Sequence, residues 1–180
     1  MISSRTISGV KRLARADKEL WGELRSWYFH DRRGWLRDDR RTRSFDEWLY
    51  DLVEHMSRQL CASISDRKPS EIVKVLRINA VGDVNALREA RLAKRAGFNT
   101  DTNCYVEDSV VNANVYVEGT DLEKVSRRAK LIKDRFVKMG YSAEVWIDEE
   151  ANRCQTVNAL IDLPIYLRET KRKNNKRRTT

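Results

Sequence analysis

The sequence predicts an α+β fold in which an N-terminal helical region packs with a C-terminal β-α-β-β antiparallel sheet unit and a basic, disordered tail follows. Before about residue 100, apolar residues recur three and four positions apart, which is the period of an amphipathic helix. After about residue 104, apolar and polar residues alternate, which is the period of a strand. The last 13 residues contain seven Lys or Arg and no apolar residue, so they cannot form a core. We therefore expect a mainly helical region over 1–100, the sheet unit over 101–167 and the flexible tail over 168–180.

The helical region begins with two periodic segments that a charged connector separates. Residues 6–29 have the apolar spacing of one helix, and residues 31–43 carry six Arg and three Asp with few apolar residues. Ser44 and Glu47 then form a capping box, in which each side chain accepts a hydrogen bond from the backbone N–H of the other residue. A single apolar stripe follows, and we expect this helix to end near residue 65.

The next segment, residues 70–81, fits either a helix face or a buried strand because it is rich in β-branched residues. We favour the helix. A strand here would give the order β-α-β-β-α-β through residue 148, which is a ferredoxin-like order. We expect Asp83 to cap a further helix that stops at Gly97, since glycine readily adopts the left-handed conformation that ends helices.

The sheet unit is predicted from three alternating segments and one strongly periodic helix. The alternating segments run over 111–117, 141–147 and 157–163. Thr120 and Glu123 have the spacing of a capping box at the start of the helix that follows the first segment. We expect the sheet to cover the apolar stripe of this helix, which consists of Leu122, Val125, Ala129, Ile132 and Phe136.

Composition excludes several classes of protein. Among 180 residues there are 36 Lys or Arg and 27 Asp or Glu, which gives a net charge of +9. No apolar run approaches the roughly 20 residues that span a bilayer, and the first residues lack the apolar stretch of a signal peptide. We therefore expect neither a membrane-spanning segment nor a membrane partner.

The cysteines and histidines indicate reduced thiols and no metal. Cys61, Cys104 and Cys154 are odd in number and widely spaced, as is typical of proteins in a reducing compartment. Only two histidines occur, His30 and His55; zinc sites need clustered Cys and His, and His55 has no partner at metal-ligand spacing. We expect no cofactor and a cytoplasmic location, with a nuclear location in a eukaryotic host and a virion location if the chain is viral.

The basic tail predicts a polyanionic partner. A flexible run of cations meets phosphates and releases their counterions, and clustering at one end exceeds what solubility requires. The partner expected from this tail is nucleic acid or another polyanion. Its candidate phosphate-contacting residues are Arg168, Lys171, Arg172, Lys173, Lys176, Arg177 and Arg178.

The outward face of the sheet supplies a second candidate site for nucleic acid. Tyr116 and Trp146 lie at alternating positions that place them on the face opposite the valines and alanines. There they would stack bases, as aromatic side chains do on sheets that bind RNA or single-stranded DNA. The alternative is that the N-terminal helices cover this face and that both aromatic residues belong to the core.

Residues 21–50 combine eight aromatic residues with seven Arg, a composition typical of binding hot spots. This region predicts an interface for a protein partner or for assembly, as in a small viral or phage protein. The alternative is a helical-hairpin core beside a solvated loop. The candidate interface residues are Trp27, Arg32, Arg33, Trp35, Arg37, Arg40, Arg41 and Arg43.

Two short patterns match known motifs only in part. Ala93 and Gly97 have the spacing seen in the middle of a helix-turn-helix, which this segment resembles, but the apolar residue that the second helix needs is Asn103 here. Asp148, Glu169 and Lys171 fit the loose spacing of PD-(D/E)xK metal-dependent nucleases, although the last two lie in the polar tail.

The hypothesis that best unites these features is a non-enzymatic nucleic-acid-binding accessory protein for RNA or single-stranded DNA. It would use the basic tail together with the aromatic sheet face. The first alternative is a protein-interaction or assembly module built on residues 21–50, and the second is a metal-dependent nuclease.

Overall fold

The computed structural model describes residues 2–35, 44–59, 68–148 and 153–163, with backbone only at 31–35 and 57–59. In these ranges the chain forms five helices and a four-stranded antiparallel sheet, and most of the helices precede the sheet. The predicted α+β class is therefore confirmed. The chain divides into two compact units, Met1–Ala80 and Val81–Thr180.

The first unit contains α1 (Ser4–Ala16), α2 (Lys18–Trp35), α3 (Phe45–Gln59) and the beginning of α4 (Pro69–Arg95). Its buried side chains come from all four helices, which is what the three-and-four spacing of their apolar residues requires. The largest fully buried side chains are Leu20, Leu24, Leu49, Ile72, Leu76, Val10, Val53 and Val75.

The single helix predicted over 6–29 is wrong, because the chain breaks at Asp17 between α1 and α2. The Oδ1 atom of Asp17 accepts a hydrogen bond from the backbone N–H of Leu20 at 3.2 Å, which caps the start of α2. The other carboxylate oxygen pairs with Arg77 in α4. The expected connector also begins too early, since α2 continues through Trp35; the rest of the connector, residues 36–43, lies outside the described residues.

The capping box at the start of α3 is confirmed. The backbone N–H of Ser44 donates to Oε2 of Glu47 at 2.8 Å, and the N–H of Glu47 donates to Oγ of Ser44 at 3.3 Å. The end predicted near residue 65 lies outside the described residues, because the described part of α3 stops at Gln59.

Residues 70–81 are helical, as preferred from the sequence, but the predicted break at Asp83 is wrong because α4 runs unbroken to Arg95. Gly82 serves close packing. A Cβ atom there would lie 3.2 Å from Sγ of Cys104 and 3.3 Å from Cγ1 of Val111. Glycine therefore lets α4 approach the sheet without ending the helix.

The predicted helix end at Gly97 is confirmed. Gly97 has a φ of +89°, its N–H donates to the carbonyl of Lys94 at 3.0 Å, and the N–H of Phe98 donates to the carbonyl of Ala93 at 3.2 Å. These two bonds form a Schellman motif, which satisfies carbonyls that the end of the helix leaves free.

The sheet of the second unit has four antiparallel strands: β1 (Asn99–Glu107), β2 (Val110–Glu118), β3 (Ser142–Ile147) and β4 (Cys154–Asp162). Their order is β1-β2-β4-β3, and α5 (Leu122–Lys138) connects β2 to β3. Since β2 and β3 both run antiparallel to β4, they are parallel to each other with β4 inserted between them. The arrangement is a split β-α-β unit preceded by one extra strand.

The predicted order β-α-β-β is therefore incomplete, because it omits β1. This strand has few apolar side chains, so its sequence lacks the alternation that identifies β2. A two-residue turn joins β1 to β2, and both of its residues, Asp108 and Ser109, have positive φ values of +46° and +67°. Such a turn matches the twist of the strands that it connects.

The helix α5 packs largely as predicted, with two corrections. Its N-terminal cap is Asp121, whose Oδ1 accepts from the N–H of Lys124 at 3.1 Å, and not Thr120. Leu122 is 47% exposed and does not belong to the buried stripe. The other four predicted core residues are fully buried against the sheet: Val125, Ala129, Ile132 and Phe136.

We predict that Phe136→Ala lowers the free energy of unfolding by about 3–5 kcal/mol, as deletion of a core aromatic ring does. The ring is fully buried and packs edge-on against Tyr141 with centroids 5.2 Å apart. Urea denaturation of both proteins measures the loss. The exposed residue Leu122 is the control on the same helix, and Leu122→Ala should cost less than about 1 kcal/mol. Equal effects of the two substitutions would contradict the packing described.

Candidate nucleic-acid interface

The second unit has one layer of helices on one face of its sheet. A single buried core joins residues of α4, α5 and the strands, and its strand residues all share one face: Ala113, Val115, Val117, Ala143, Val157 and Ala159. We call α5 together with residues 81–95 of α4 the helical layer. The opposite face of the sheet is called the acidic sheet face for the reason given below.

The helical layer is strongly cationic. The helix α5 carries seven Lys or Arg against two acidic residues, and residues 81–95 carry four against two. Together the two helical segments therefore carry seven more positive than negative charges. Eight of the cations are exposed: Arg88, Arg91, Lys94, Arg95, Lys124, Arg127, Lys130 and Lys138.

Few of the exposed cations are neutralised locally. Arg127 pairs with Glu123 at 2.6 Å, and Lys124 pairs with Asp121 at 3.2 Å. Within the part of the chain that the structure describes, the other six exposed cations form no ion pair. They are free to meet anionic groups of a ligand.

One buried ion pair connects the two helices of the layer. Nη1 of Arg135 on α5 lies 2.7 Å from Oε2 of Glu89 on α4, and Glu89 is only 3% exposed. A buried carboxylate needs such a partner because its desolvation is costly. The pair therefore fixes α4 against α5 and removes the charge of Glu89 from the outer surface.

The acidic sheet face carries the opposite charge. The four strands contain five acidic residues and no Lys, Arg or His. The strand register places all five on the face that points away from the helical layer: Asp101, Glu107, Glu118, Glu144 and Asp162. The second unit thus carries an excess of positive charge on its helices and five exposed carboxylates on the opposite face of its sheet.

Tyr116 and Trp146 lie on this acidic sheet face, as their alternation predicts. Both are level with Thr156, which pairs with Tyr116 on β2 and with Trp146 on β3. Trp146 is 59% exposed and Tyr116 is partly buried.

Three of the five carboxylates lie near these rings: Asp101 pairs with Tyr116 across the strands, and Glu118 and Glu144 each lie two positions along the strand from Tyr116 and Trp146. These carboxylates would repel the phosphates of a ligand that stacked there. Base stacking at these two residues stays a prediction.

The aromatic residues of 21–50 pack mainly on one another. Phe45 contacts Trp21 at 5.0 Å, Tyr28 at 5.4 Å and Trp48 at 5.5 Å between ring centroids. These contacts support the helical-hairpin alternative for the aromatic part of the region, and Trp27 is partly buried in α2. The interface hypothesis stays a prediction. The structure does not describe the side chains of Arg32, Arg33 and Trp35, and Arg37, Arg40, Arg41 and Arg43 lie outside the described residues.

The basic tail and the nuclease pattern also fall largely outside the described residues. All seven cations of the tail, from Arg168 to Arg178, lie there, as do Glu169 and Lys171 of the nuclease pattern. Asp148 is described and follows β3. In the described ranges no three His, Cys, Asp or Glu side chains form a group that could hold a metal ion.

The helix-turn-helix resemblance is wrong. Gly97 is followed by strand β1 from Asn99, where a recognition helix would have to begin.

The described helices include none with the length and apolar character that a membrane crossing requires. Comparison of the chain with models of protein families, with curated proteins and with solved structures finds no match.

The two cysteines in the described residues are free thiols, as expected, and Cys61 lies outside those residues. Burial raises the pKa of Cys104 to about 12, and the nearby carboxylate of Asp83 raises it as well. Partial burial also raises the pKa of Cys154. A thiol whose pKa is raised is mostly protonated at neutral pH, so neither group is an activated nucleophile.

The cationic helical layer is the feature that sequence analysis missed. The signal is present in the sequence, since Arg88, Arg91 and Arg95 follow one face of a helix at spacings of three and four. Seven cations in the 17 residues of α5 are an equally clear signal. Only the structure shows that both helices belong to one layer.

We predict that Cys104 makes folding stability fall in alkaline solution. Its pKa is higher in the folded chain, about 12, than its ordinary value of 9.0, so the stabilising contribution is complete below pH 9 and is lost as the pH rises toward 12. Between these two pKa values the thiol is deprotonated in the unfolded chain and protonated in the folded chain. This difference of one proton lowers the free energy of unfolding by about 1.4 kcal/mol for each pH unit of increase.

Urea denaturation at pH 8.0, 9.5 and 10.5 tests this expectation. Cys104→Ala should be less stable than wild type at pH 8.0 but should lose less stability on going to pH 10.5. Cys154→Ala, which removes a more accessible thiol, should follow the wild-type profile closely. Parallel profiles for wild type and Cys104→Ala would show that this thiol does not control the alkaline loss.

Proposed function

We propose that this protein is a nucleic-acid-binding accessory protein that acts by binding rather than by catalysis. It contacts phosphates through the cationic helical layer and through the basic tail. The observation that carries the proposal is the separation of charge in the second unit, with an excess of cations on the helices and five carboxylates on the acidic sheet face.

This separation exceeds what solubility needs. A surface that serves only solubility is best built from interspersed charges of both signs. Here an excess of seven positive charges lies on two helices, while the strands hold five negative charges and no positive one. A surface with an excess of one sign of charge creates a field that attracts oppositely charged ligands and accelerates their association.

The cations also have the form that phosphate binding requires. Arg88, Arg91 and Lys130 are exposed and form no ion pair with a described residue. A cation that approaches a phosphate releases a condensed counterion, so affinity falls with the salt concentration in proportion to the number of contacts. The slope of log affinity against log salt concentration is therefore proportional to the number of phosphates that the protein contacts.

We predict that the triple substitution R88Q/R91Q/K130Q makes the negative slope of log affinity against log salt shallower by about 2–3 units on duplex DNA. The control R5Q/R12Q/K18Q removes three exposed cations from α1 and α2 and should change the slope by less than about 1 unit. Fluorescence anisotropy at several salt concentrations measures both slopes. Equal slopes for the two triple variants would place the contacts outside the helical layer.

We also predict that removal of the tail after Leu167 makes the same slope shallower by about 3–5 units. Seven cations are lost, each worth about 0.9 unit on duplex DNA, and not all of them contact phosphates at once. The melting temperature should stay unchanged, because the tail contains no apolar residue to bury. Unchanged affinity and slope after truncation would show that the tail has no part in binding.

A further inference from the structure

We infer that the ligand of the cationic helical layer is a nucleic-acid duplex, bound through its phosphate backbones and independently of sequence. The inference rests on the proposed function and narrows it to one class of ligand. It replaces the single-stranded ligand expected from the aromatic sheet face.

The helical layer lacks the groups that bind single strands. Proteins that hold single-stranded nucleic acid combine a cationic groove with aromatic side chains on which the bases stack. Among the described residues of this layer and its borders, Phe136 and Tyr141 are buried, and the guanidinium of Arg128 lies over the ring of Phe98 at 5.6 Å. No exposed aromatic ring of the described part of the chain accompanies the eight exposed cations there.

The exposed aromatic residues of the second unit lie on the opposite face. Trp146 is 59% exposed and Tyr105 is 40% exposed, and both share the acidic sheet face with five carboxylates. A single strand that stacked on Trp146 would bring its phosphates toward Glu144 and its neighbours, far from the cations on the helices. Stacking and phosphate binding are thus divided between two faces of opposite charge.

A duplex matches the helical layer because it needs phosphate contacts only. Arg88 and Arg95 are seven residues apart and so lie about 10 Å apart along α4, while Lys124 and Lys138 lie about 21 Å apart along α5. A duplex carries one phosphate charge per about 1.7 Å of its axis, hence about 12 charges over 20 Å. The buried Glu89–Arg135 pair holds the two cationic helices in a fixed relation, which suits a rigid array of phosphates.

The test uses the full-length chain and five probes: duplex DNA, duplex RNA, single-stranded DNA and single-stranded RNA of equal length, and heparin. Anisotropy at three salt concentrations gives affinity and slope for each. We expect both duplexes to bind about tenfold more tightly than either single strand, with two unrelated duplex sequences bound equally well. The comparison of DNA with RNA shows which duplex is preferred, since phosphate contacts alone do not exclude either.

Two variants separate the faces. Trp146→Ala should leave duplex affinity within about twofold of wild type, whereas R88Q/R91Q/K130Q should lower it about tenfold or more in low salt. Single strands that bind as tightly as duplexes, together with a loss of affinity in Trp146→Ala, would overturn this inference while the proposed function stands. Heparin bound as tightly as the duplexes, or no probe bound at all, would overturn the proposed function as well.

Discussion

The packing of α4 and α5 on a single face of the sheet is the constraint on which the second unit depends. Side chains alternate along a strand, so burying the valines and alanines of β2 and β4 under two helices forces every other residue onto the opposite face. The acidic residues of all four strands follow that rule. The cations, which lie on the outer sides of the helices, end on the other side of the unit. Separation of charge is therefore a consequence of the fold and of where each residue type occurs in the sequence.

Small residues make this packing close. Ala86, Ala90 and Ala93 line the inner side of α4, and Gly82 extends that side by one turn, where even a methyl group would press on Cys104. A helix that lies this close to the sheet leaves little room for water, which explains why the pKa of the Cys104 thiol is raised. The Glu89–Arg135 pair adds orientation to this apolar contact. Its net contribution to stability is small, since desolvation offsets the attraction, but loss of one partner would leave a buried charge.

The elements that were predicted correctly are those that are indicated by residues close together in the sequence. The capping box of α3, the apolar stripe of α5 and the alternation of β2 and β4 each depend on residues a few positions apart. Prediction from the sequence failed where one residue type has two uses. Asp17 lies within an apolar periodicity yet caps a new helix, whereas Asp83 was expected to cap a new helix yet lies inside the unbroken α4. The strand β1 was missed because its pairing with β2 and its two-residue turn, rather than its own apolar residues, place it in the sheet.

The candidate site illustrates the same limit. Tyr116 and Trp146 lie on the same face of the sheet, as their alternation predicts, and their role in binding stays a prediction. The charge around them depends on Asp101, Glu118 and Glu144, which lie on three strands that only the register brings together. These carboxylates would repel phosphates and so disfavour the base stacking expected there. Each cationic helix can be recognised from the sequence, but their union in one layer cannot, since the β1–β2 hairpin separates them in the chain.

The cationic layer also has a cost for the free protein. Exposed cations on neighbouring helix faces repel one another, and only three of the layer's cations have a carboxylate within ion-pair distance among the described residues. Repulsion of this kind lowers the stability of the folded chain, and an anionic ligand of the layer would relieve it. The core beneath it is apolar and consists mainly of buried valines and alanines together with Ile132 and Phe136. Stability resides in the apolar contact between helices and sheet, which leaves the outer surfaces of the helices and of the sheet free to carry charge.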